Sequence, residues 1–462
     1  MTKRRTLTTG VAFAALALAS GAWAQTGAVT AAPDGLGEVA PAEVAAEAPL
    51  PPPPPPATGT ISEAIAAGHI LLDVRARYEL VDQKKTAVLR NNAEAYTLRT
   101  RIGWETADWN DFRGLVEFED VRVLGERYAV NVPGATTAPL NGASKAIFPV
   151  VNDPAVTELN RAQVTWTPSA ALSVVAGRQR ILIDDQRFVG SVGWRQDEQT
   201  VDGVKADFAI GRFKATYAYL TKINRILGEA RDWDSDSHLL NATWSPAEAL
   251  RLQGFVYALD FSNSAANSSI TSGLKASGKT WVGLYQVAYA ATYAKQSEYR
   301  TNTAPFDLAY WGGDVTGTFD VYSLKLSYES LEGNGARAFT TPLATTHLFN
   351  GWSDAFVLPL GGNKSFVDGL EDLNLTFNVK PRFKFTYLFN TDWTVRYHDF
   401  DNQRTGAKLG REWDAQVTAA INAKFSIALK YADFEREATV PVGSAAPPPS
   451  RTKVWFTIQY TL

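Results

Sequence analysis

The last twelve residues, Arg451 to Leu462 (RTKVWFTIQYTL), alternate in character with a period of two. Val454, Phe456, Ile458, Tyr460 and Leu462 are apolar, and Lys453, Thr457, Gln459 and Thr461 between them are polar. Trp455 is the exception on the polar face. Successive side chains of a strand point to opposite faces, so one face of this segment meets an apolar medium and the other a wet one. A half-buried soluble sheet would show the same pattern. A chain that ends in such a strand, starts with an export signal and repeats the pattern throughout is better read as a barrel crossing an outer membrane.

Residues 1–24 read as that signal. Lys3, Arg4 and Arg5 give the basic start, Val11 to Leu18 the apolar run, and Ala22-Trp23-Ala24 a small-x-small cleavage site before Gln25. An N-terminal anchor helix is the alternative, but the run falls short of the about 20 residues a helical span needs. Residues 25–68 form an Ala/Pro-rich segment with six consecutive prolines, Pro51 to Pro56. Such a composition builds no core and suits an extended periplasmic tether or, alternatively, a docking site for a partner. The chain has no cysteine, which excludes a disulfide scaffold, a thiolate metal site and a Cys nucleophile. A net charge of −3 gives no general affinity for nucleic acid.

From His69 to Leu462 the chain reads as strands. In 69–81, Leu72, Val74, Ala76, Tyr78 and Leu80 share one face, and Asp73, Arg75, Arg77 and Glu79 the other. The next run puts Tyr96, Leu98, Ile102 and Trp104 opposite Arg99, Arg101 and Glu105, and the third puts Phe112, Val116 and Phe118 opposite Arg113, Glu117 and Glu119. Eighteen such runs can be read, each meeting the roughly 9–11 residues of a tilted membrane strand. Tight connections such as Asp108–Asp111 and Ile421–Lys424 alternate with long ones such as 123–155, 182–199, 263–276, 332–369 and 435–450. The fold expected is all-β, a transmembrane antiparallel β-barrel with short periplasmic turns, long outer loops and both termini periplasmic. Eighteen strands is the first reading and sixteen the alternative, because 277–298 could be one strand and 370–400 is weakly patterned.

Three stretches resemble the alginate-export family of outer-membrane barrels: Gly177 to Phe208, Thr340 to Phe356 with Asp368 to Leu373 after it, and Tyr397 to Phe434. The resemblance covers roughly residues 69–462. It implies an eighteen-stranded porin with a basic lumen. The alginate exporter of that family carries a long periplasmic plug loop near its C-terminal end, whereas the corresponding turn here is only about Ile421 to Lys424. The chain therefore resembles the broad family and not the exporter itself.

The candidate lumen residues follow from strand parity. Arg75, Arg77, Arg99, Arg101 and Arg113 lie on three consecutive strands and should form one patch, with Arg161, Lys205, Lys214, Lys325, Arg396 and Lys430 inward elsewhere. Guanidinium forks suit carboxylates, and a cationic cluster in a narrow channel enriches anions. Asp73, Glu79, Glu105, Glu117 and Glu119 interleave with these arginines, so the patch could equally be a network that stiffens the wall. Loop 182–199, with Arg187 and Arg195 and with Arg180 just before it, is dense enough in charge for a constriction. Loop 332–369, with Thr345, His347, Trp352 and Asp354, reads more simply as an outer loop. His398-Asp399 as a catalytic dyad and Asp232, Asp234 and Asp236 as a calcium loop are weaker readings.

These features point to a passive outer-membrane channel for small hydrophilic, anionic saccharides or organic acids, with no catalytic step, no cofactor and no metal. Its partners would be outer-membrane lipid, the anionic solute and, during biogenesis, the barrel-assembly machinery. The alternatives are a barrel enzyme acting on lipid or surface polymer and a surface-binding structural barrel.

Overall fold

The structure, a computed structural model, describes residues 59–130, 139–356, 366–382, 388–437 and 447–462. The export signal and the six-proline run expected from the sequence lie outside the described residues. One helix, α1 (Ile61–Ala66), precedes the strands. They are β1 (His69–Gln83), β2 (Ala93–Glu105), β3 (Phe112–Arg127), β4 (Val156–Ser169), β5 (Leu172–Gln179), β6 (Thr200–Ile210), β7 (Phe213–Asn224), β8 (Trp233–Ala247) and β9 (Leu250–Leu259). They continue with β10 (Ser269–Val282), β11 (Tyr285–Glu298), β12 (Asp307–Phe319), β13 (Tyr322–Glu332), β14 (Gly369–Val379), β15 (Phe389–Asn402), β16 (Lys408–Ala420), β17 (Phe425–Arg436) and β18 (Arg451–Thr461).

Each strand pairs antiparallel with its sequence neighbours, and β1 pairs with β18 from Asp73 opposite Thr461 to Gln83 opposite Arg451. The wall is therefore closed, as backbone in lipid requires, because an open edge would leave N–H and C=O groups unsatisfied there. Among the described residues there are eighteen strands, and the sixteen-strand alternative falls. Residues 277–298 split into two strands at a Gly283-Leu284 turn. β10 begins at Ser269 instead of 277. Its first half carries Ser272 and Ala276 outward beside Ile270 and Leu274, too little apolar contrast to announce a strand.

The facing follows parity. On β2, Tyr96 and Ile102 are 47% and 53% exposed, whereas Arg99 and Arg101 are 2% and 8% exposed. The apolar residues thus form the outer surface, and the charged ones face the lumen. Two belts of outward aromatic pairs bound the apolar band. Phe112–Trp166, Tyr285–Phe319, Tyr322–Phe377 and Phe425–Tyr460 lie at one rim. Tyr78–Tyr96, Tyr293–Trp311 and Tyr397–Trp413 lie towards the other.

The two ends differ. Connections at the end that holds His69 and Leu462 are mostly short, the one between β14 and β15 being the longest; Ala170-Ala171, Glu248-Ala249 and Asp320-Val321 are two-residue turns. Asn110 and Asp111 take φ of 46° and 68°, the hairpin backbone whose twist matches its strands and which Asn and Asp tolerate. The β16–β17 turn is closed by the Ile421 N–H to Phe425 C=O bond of 2.8 Å, so no plug arises there. At the opposite end lie the long connections, and two of them fold back into the barrel. The wall receives them unevenly. Leu220, Leu239, Phe255, Tyr257, Leu308 and Tyr310 give β7, β8, β9 and β12 an apolar inner side, while β1 to β4 carry charge.

Candidate functional site

The loop between β5 and β6, residues 180–199, crosses the lumen. On one side Arg75 of β1 donates to the carbonyls of Gly193, Trp194 and Arg195 at 3.1, 3.3 and 3.1 Å. Arg77 donates to the Trp194 carbonyl at 2.6 Å, and its guanidinium lies 4.2 Å over the Trp194 ring. Gln196 donates to Thr97 at 2.8 Å, and Glu198 receives Asn160 at 2.7 Å, Arg101 at 3.3 Å and Arg180. On the far side Lys275 of β10 reaches Asp184 and Asp185 at 2.6 and 3.0 Å, and Arg187 pairs with Glu329 of β13. The Phe188 ring packs 5.0 Å from Phe255 and 5.4 Å from Tyr310. Charge holds the loop at both ends, and an aromatic cluster holds its middle.

The described part of the loop between β13 and β14 packs beside it. It meets the first through a parallel bridge of Val189 with Leu343 and the Gly190 N–H to Leu343 C=O bond of 2.8 Å. Asn350 donates to Glu329 at 2.6 Å, and Ser353 Oγ to Glu412 of β16 at 2.6 Å. At Gly351 a Cβ would stand 2.5 Å from the Glu412 carboxylate, and φ there is +84°, so only glycine brings the backbone this close. His347 stacks on Trp194 with centroids 4.2 Å apart and planes 6° apart. Lys430 of β17 donates to His347 Nε2 at 2.7 Å, so His347 Nδ1 carries the proton donated to Asp354 at 2.7 Å. The Lys430 ammonium also lies 4.2 Å from the Trp194 ring and 3.7 Å from the Trp352 ring, near Trp455. The indole N–H groups of these three tryptophans find no acceptor among the described residues.

The loops set the electrostatics of the constriction. Burial alone would raise the Glu198 carboxyl, but Arg101 and Arg180 hold it below the ordinary range. Asp197 beside it is pushed well above its ordinary value by burial and by Glu119 and Glu158. Burial also opposes the charge of Arg195, but Glu79, Asp153 and Asp354 overcome that and raise it. Arg225 is different. Burial pushes it down to about 10, and Asp232 is the carboxylate acting against that. Its guanidinium donates to Gln199 and, at 3.1 Å, to the Pro342 carbonyl, and lies 4.1 Å over Trp233.

Arg225 opens onto a cavity of about 520 Å³ above the two loops, at the long-loop end. Arg195, Arg225, Arg451 and Lys453 line it, and Asp354 is its one carboxylate among the described residues. Its walls include Val88, Leu89, Phe148, Pro149, Ile226, Pro448 and Pro449. This is a basic floor with apolar sides.

The residues picked out from the sequence fall in separate places. Arg75, Arg77, Arg99 and Arg101 lie inside the barrel but are 2–8% exposed, engaged by loop carbonyls or by Asp73, Glu119 and Glu198. Arg161 pairs with Glu117 at 2.7 Å, and Arg180, Arg187 and Arg195 belong to the first in-folded loop. Arg113 is not part of this patch; it sits at the short-turn rim on Asp108 at 2.7 Å. Lys205 and Lys325 face the lumen below the loops, near Asp207 and Asp314 at 2.8 and 3.6 Å. Arg396 donates to Thr376 at 2.9 Å and lies 5.2 Å over Trp352.

Loop 332–369 is not a plain outer loop in its described part. His398 and Asp399 point to opposite faces: His398 lies between Asp372 at 2.8 Å and Asp414 at 3.4 Å, and Asp399 takes Lys408 at 2.6 Å outside. Asp232 and Asp236 pair with Lys222 and Arg300, and no metal-holding cluster exists among the described residues. Sequence reading missed Arg225, Arg451 and Lys453 as vestibule residues. The inward parity of β18 could have found the last two; Arg225 follows the end of β7 and carries no periodic signal.

Comparison with solved structures gives the same architecture. OccAB3 of Acinetobacter baumannii superposes with a TM-score of 0.64 at 12% identity, over 86% of this chain and 100% of that one. OpdK of Pseudomonas aeruginosa, solved with vanillate, gives 0.62 at 11% identity over 86% and 99%. OpdL of the same organism gives 0.62 at 14% identity over 86% and 99%. At these identities the likeness is one of fold. No curated protein sequence matches the chain significantly. Residues 69–325 match the alginate export profile; the resembling stretches after Thr340 lie beyond the match. With more than half of the sequence matched and a closed eighteen-stranded wall around two in-folded loops, the chain belongs to the alginate export family of outer-membrane β-barrels.

Proposed function

We propose that the protein is a passive, anion-selective channel for small organic acids, with the long loops outside the cell and the short turns periplasmic. The observation that carries this reading is the cavity of about 520 Å³, whose floor presents Arg195, Arg225, Arg451 and Lys453 against Asp354, the one carboxylate among its described lining residues. Low-dielectric walls focus such a field and concentrate anions at the mouth. The apolar sides favour an acid with a hydrocarbon or ring body over a fully hydroxylated sugar acid, whose hydroxyls would lose water partners against proline and phenylalanine. OpdK, with the same fold, was solved with vanillate, an aromatic acid.

The buried arginine ladder of β1 and β2 then acts as scaffold for the constriction, and the vestibule selects. The test is reversal potential in planar bilayers under a salt gradient, with flux of benzoate, a hexuronate and an uncharged hexose into proteoliposomes. Anion preference with benzoate ahead of hexuronate and hexose supports the reading. Cation preference, or equal flux of all three, overturns it.

A further inference from the structure

We infer that α1 is a membrane-interface anchor, seated on the lipid face of the barrel at the short-turn rim with Ile61 and Ile65 in the lipid. Six residues are far too few to hold a helix in water, so its surroundings must stabilise it. Thr60 and Glu63 form a reciprocal capping box at its start. Its body is fastened to the outside of the wall. The Trp104 indole donates to the Ile65 carbonyl at 3.1 Å, the Trp109 indole to the Gly59 carbonyl at 3.0 Å, and the Ala107 N–H to the Ala64 carbonyl at 2.9 Å. Trp104 shares the outward parity of Ile102 and stands opposite Ile70 of β1, both of which face the lipid. Gly68 lets the chain turn over this ring: a Cβ there would stand 2.6 Å from Trp104 Nε1 and 2.4 Å from the Glu105 carbonyl.

The helix has three sides. Ala64, 2% exposed, meets the wall. Ile61 and Ile65, one turn apart, are 58% and 50% exposed, and Ile70, opposite the Trp104 that holds the Ile65 carbonyl, is exposed as well. Ser62, Glu63 and Ala66 occupy the remaining arc. The isoleucine side is continuous with the lipid belt through Ile70 and Ile102, and the opposite arc carries the one charge of the helix. That division is the one an interfacial helix shows, apolar face among acyl chains and polar face among headgroups. Gly59, where the described residues begin, therefore lies on the outer side of the wall, held by the Trp109 indole.

The absence of native cysteine makes the test direct. Single substitutions Ile61→Cys, Ile65→Cys, Ser62→Cys and Ala66→Cys in the full chain each replace an exposed residue. Each is labelled with an environment-sensitive fluorophore and reconstituted with brominated phospholipid. The labels at Ile61 and Ile65 should be blue-shifted, quenched by the brominated acyl chains and protected from iodide, and those at Ser62 and Ala66 the reverse. Water-like emission and iodide quenching at Ile61 and Ile65 would overturn the proposal. So would equal lipid quenching at all four sites, which would mean a buried segment and not an interfacial one. Adding Gly68→Val blocks the seat on Trp104 and should move the Ile61 and Ile65 labels towards water; labels left in lipid there would overturn the seat.

Discussion

Arg195 and Asp354, one from each in-folded loop, meet at 3.3 Å against the closing seam of the wall, where each side chain is at most 12% exposed. Asp354 also takes His347 at 2.7 Å and Lys453 of β18 at 2.8 Å, while Arg195 takes Glu79 of β1 at 3.0 Å. Two loops and the closing seam of the wall thus share one cluster. Breaking a buried pair leaves charge unsolvated, which is why such clusters hold position whatever their net contribution to stability.

Replacing Asp354 by Asn leaves Lys453 to Glu79, and Arg195 to Glu79 and the more distant Asp153. The cost should be about 3–5 kcal/mol, as for a buried pair that loses one partner. Thermal melting in detergent should fall, and single-channel records should become larger and noisier as the loops separate. An unchanged melting temperature with unchanged conductance would show that Asp354 does not lock them.

Acid should loosen the same junction through His347. Burial holds the imidazole well below its usual range, and Lys430 and Arg195 add to this against the opposing Asp354. In the folded loop His347 stays neutral, whereas in the released state it takes up a proton below about pH 6.5. The released state then binds more protons, so stability rises with pH and falls as the pH drops from about 6.5, by at most about 1.4 kcal/mol per unit. Asp354, held low, keeps its charge across this window and loses it only below the ordinary carboxylate range. Hydrogen exchange of residues 343–356 should therefore quicken between pH 7 and pH 5, and His347→Gln should abolish that dependence. Equal slopes in both proteins would remove His347 as the cause.

The fold was legible because lipid enforces a two-residue period on every strand, and parity alone placed Arg75, Arg99 and Arg101 inside. What parity could not tell was what the inside would meet. The same inward position is water in an open pore and a loop carbonyl here, as for Arg75 against Gly193. The in-folding of loop 333–356 has no periodic signature; it depends on tertiary partners such as Glu412 and Asp414 on distant strands. The vestibule joins residues far apart in sequence, Arg225 and Arg451 among them. One signal was present: Trp455 broke the alternation of the last strand on its polar face. A bulky apolar side chain on a lumen face marks where something other than water covers the wall, and Trp455 is 1% exposed under Trp194.

Selectivity should follow the vestibule and not the ladder. Arg225→Gln with Arg451→Gln removes two cavity cations. A unit charge about 4 Å from a permeating anion in water is worth about 1 kcal/mol, so each change should cut anion preference roughly fivefold at low salt. The effect should shrink near 1 M salt, where the screening length is about 3 Å. Arg77→Gln with Arg99→Gln and Arg101→Gln should instead lower the melting temperature by stranding Asp73 and Glu119, with a smaller change in reversal potential. The reverse pattern would return selection to the ladder.

Adjacent residues of the last strand should fail in different ways. Phe456 is 42% exposed on the lipid face, and Trp455 faces the loops. Phe456→Asp puts a carboxylate into the apolar band, where a cationic residue costs about 2–4 kcal/mol at mid-membrane and an acid somewhat less. It should reduce the yield of heat-modifiable barrel, since β18 must pair with both β1 and β17 to close the wall. Trp455→Ala leaves that face untouched. It removes an indole 5.6 Å from the Trp194 ring and beside Lys430, at a cost of about 3–5 kcal/mol for a buried aromatic. The barrel should assemble normally but melt lower and conduct more, because the loops lose their apolar seat while the wall keeps its hydrogen bonds. Gel mobility with and without heating reads assembly, and bilayer conductance reads the loops. A Trp455→Ala protein with the conductance of the parent would show that the tryptophan cluster does not hold the constriction.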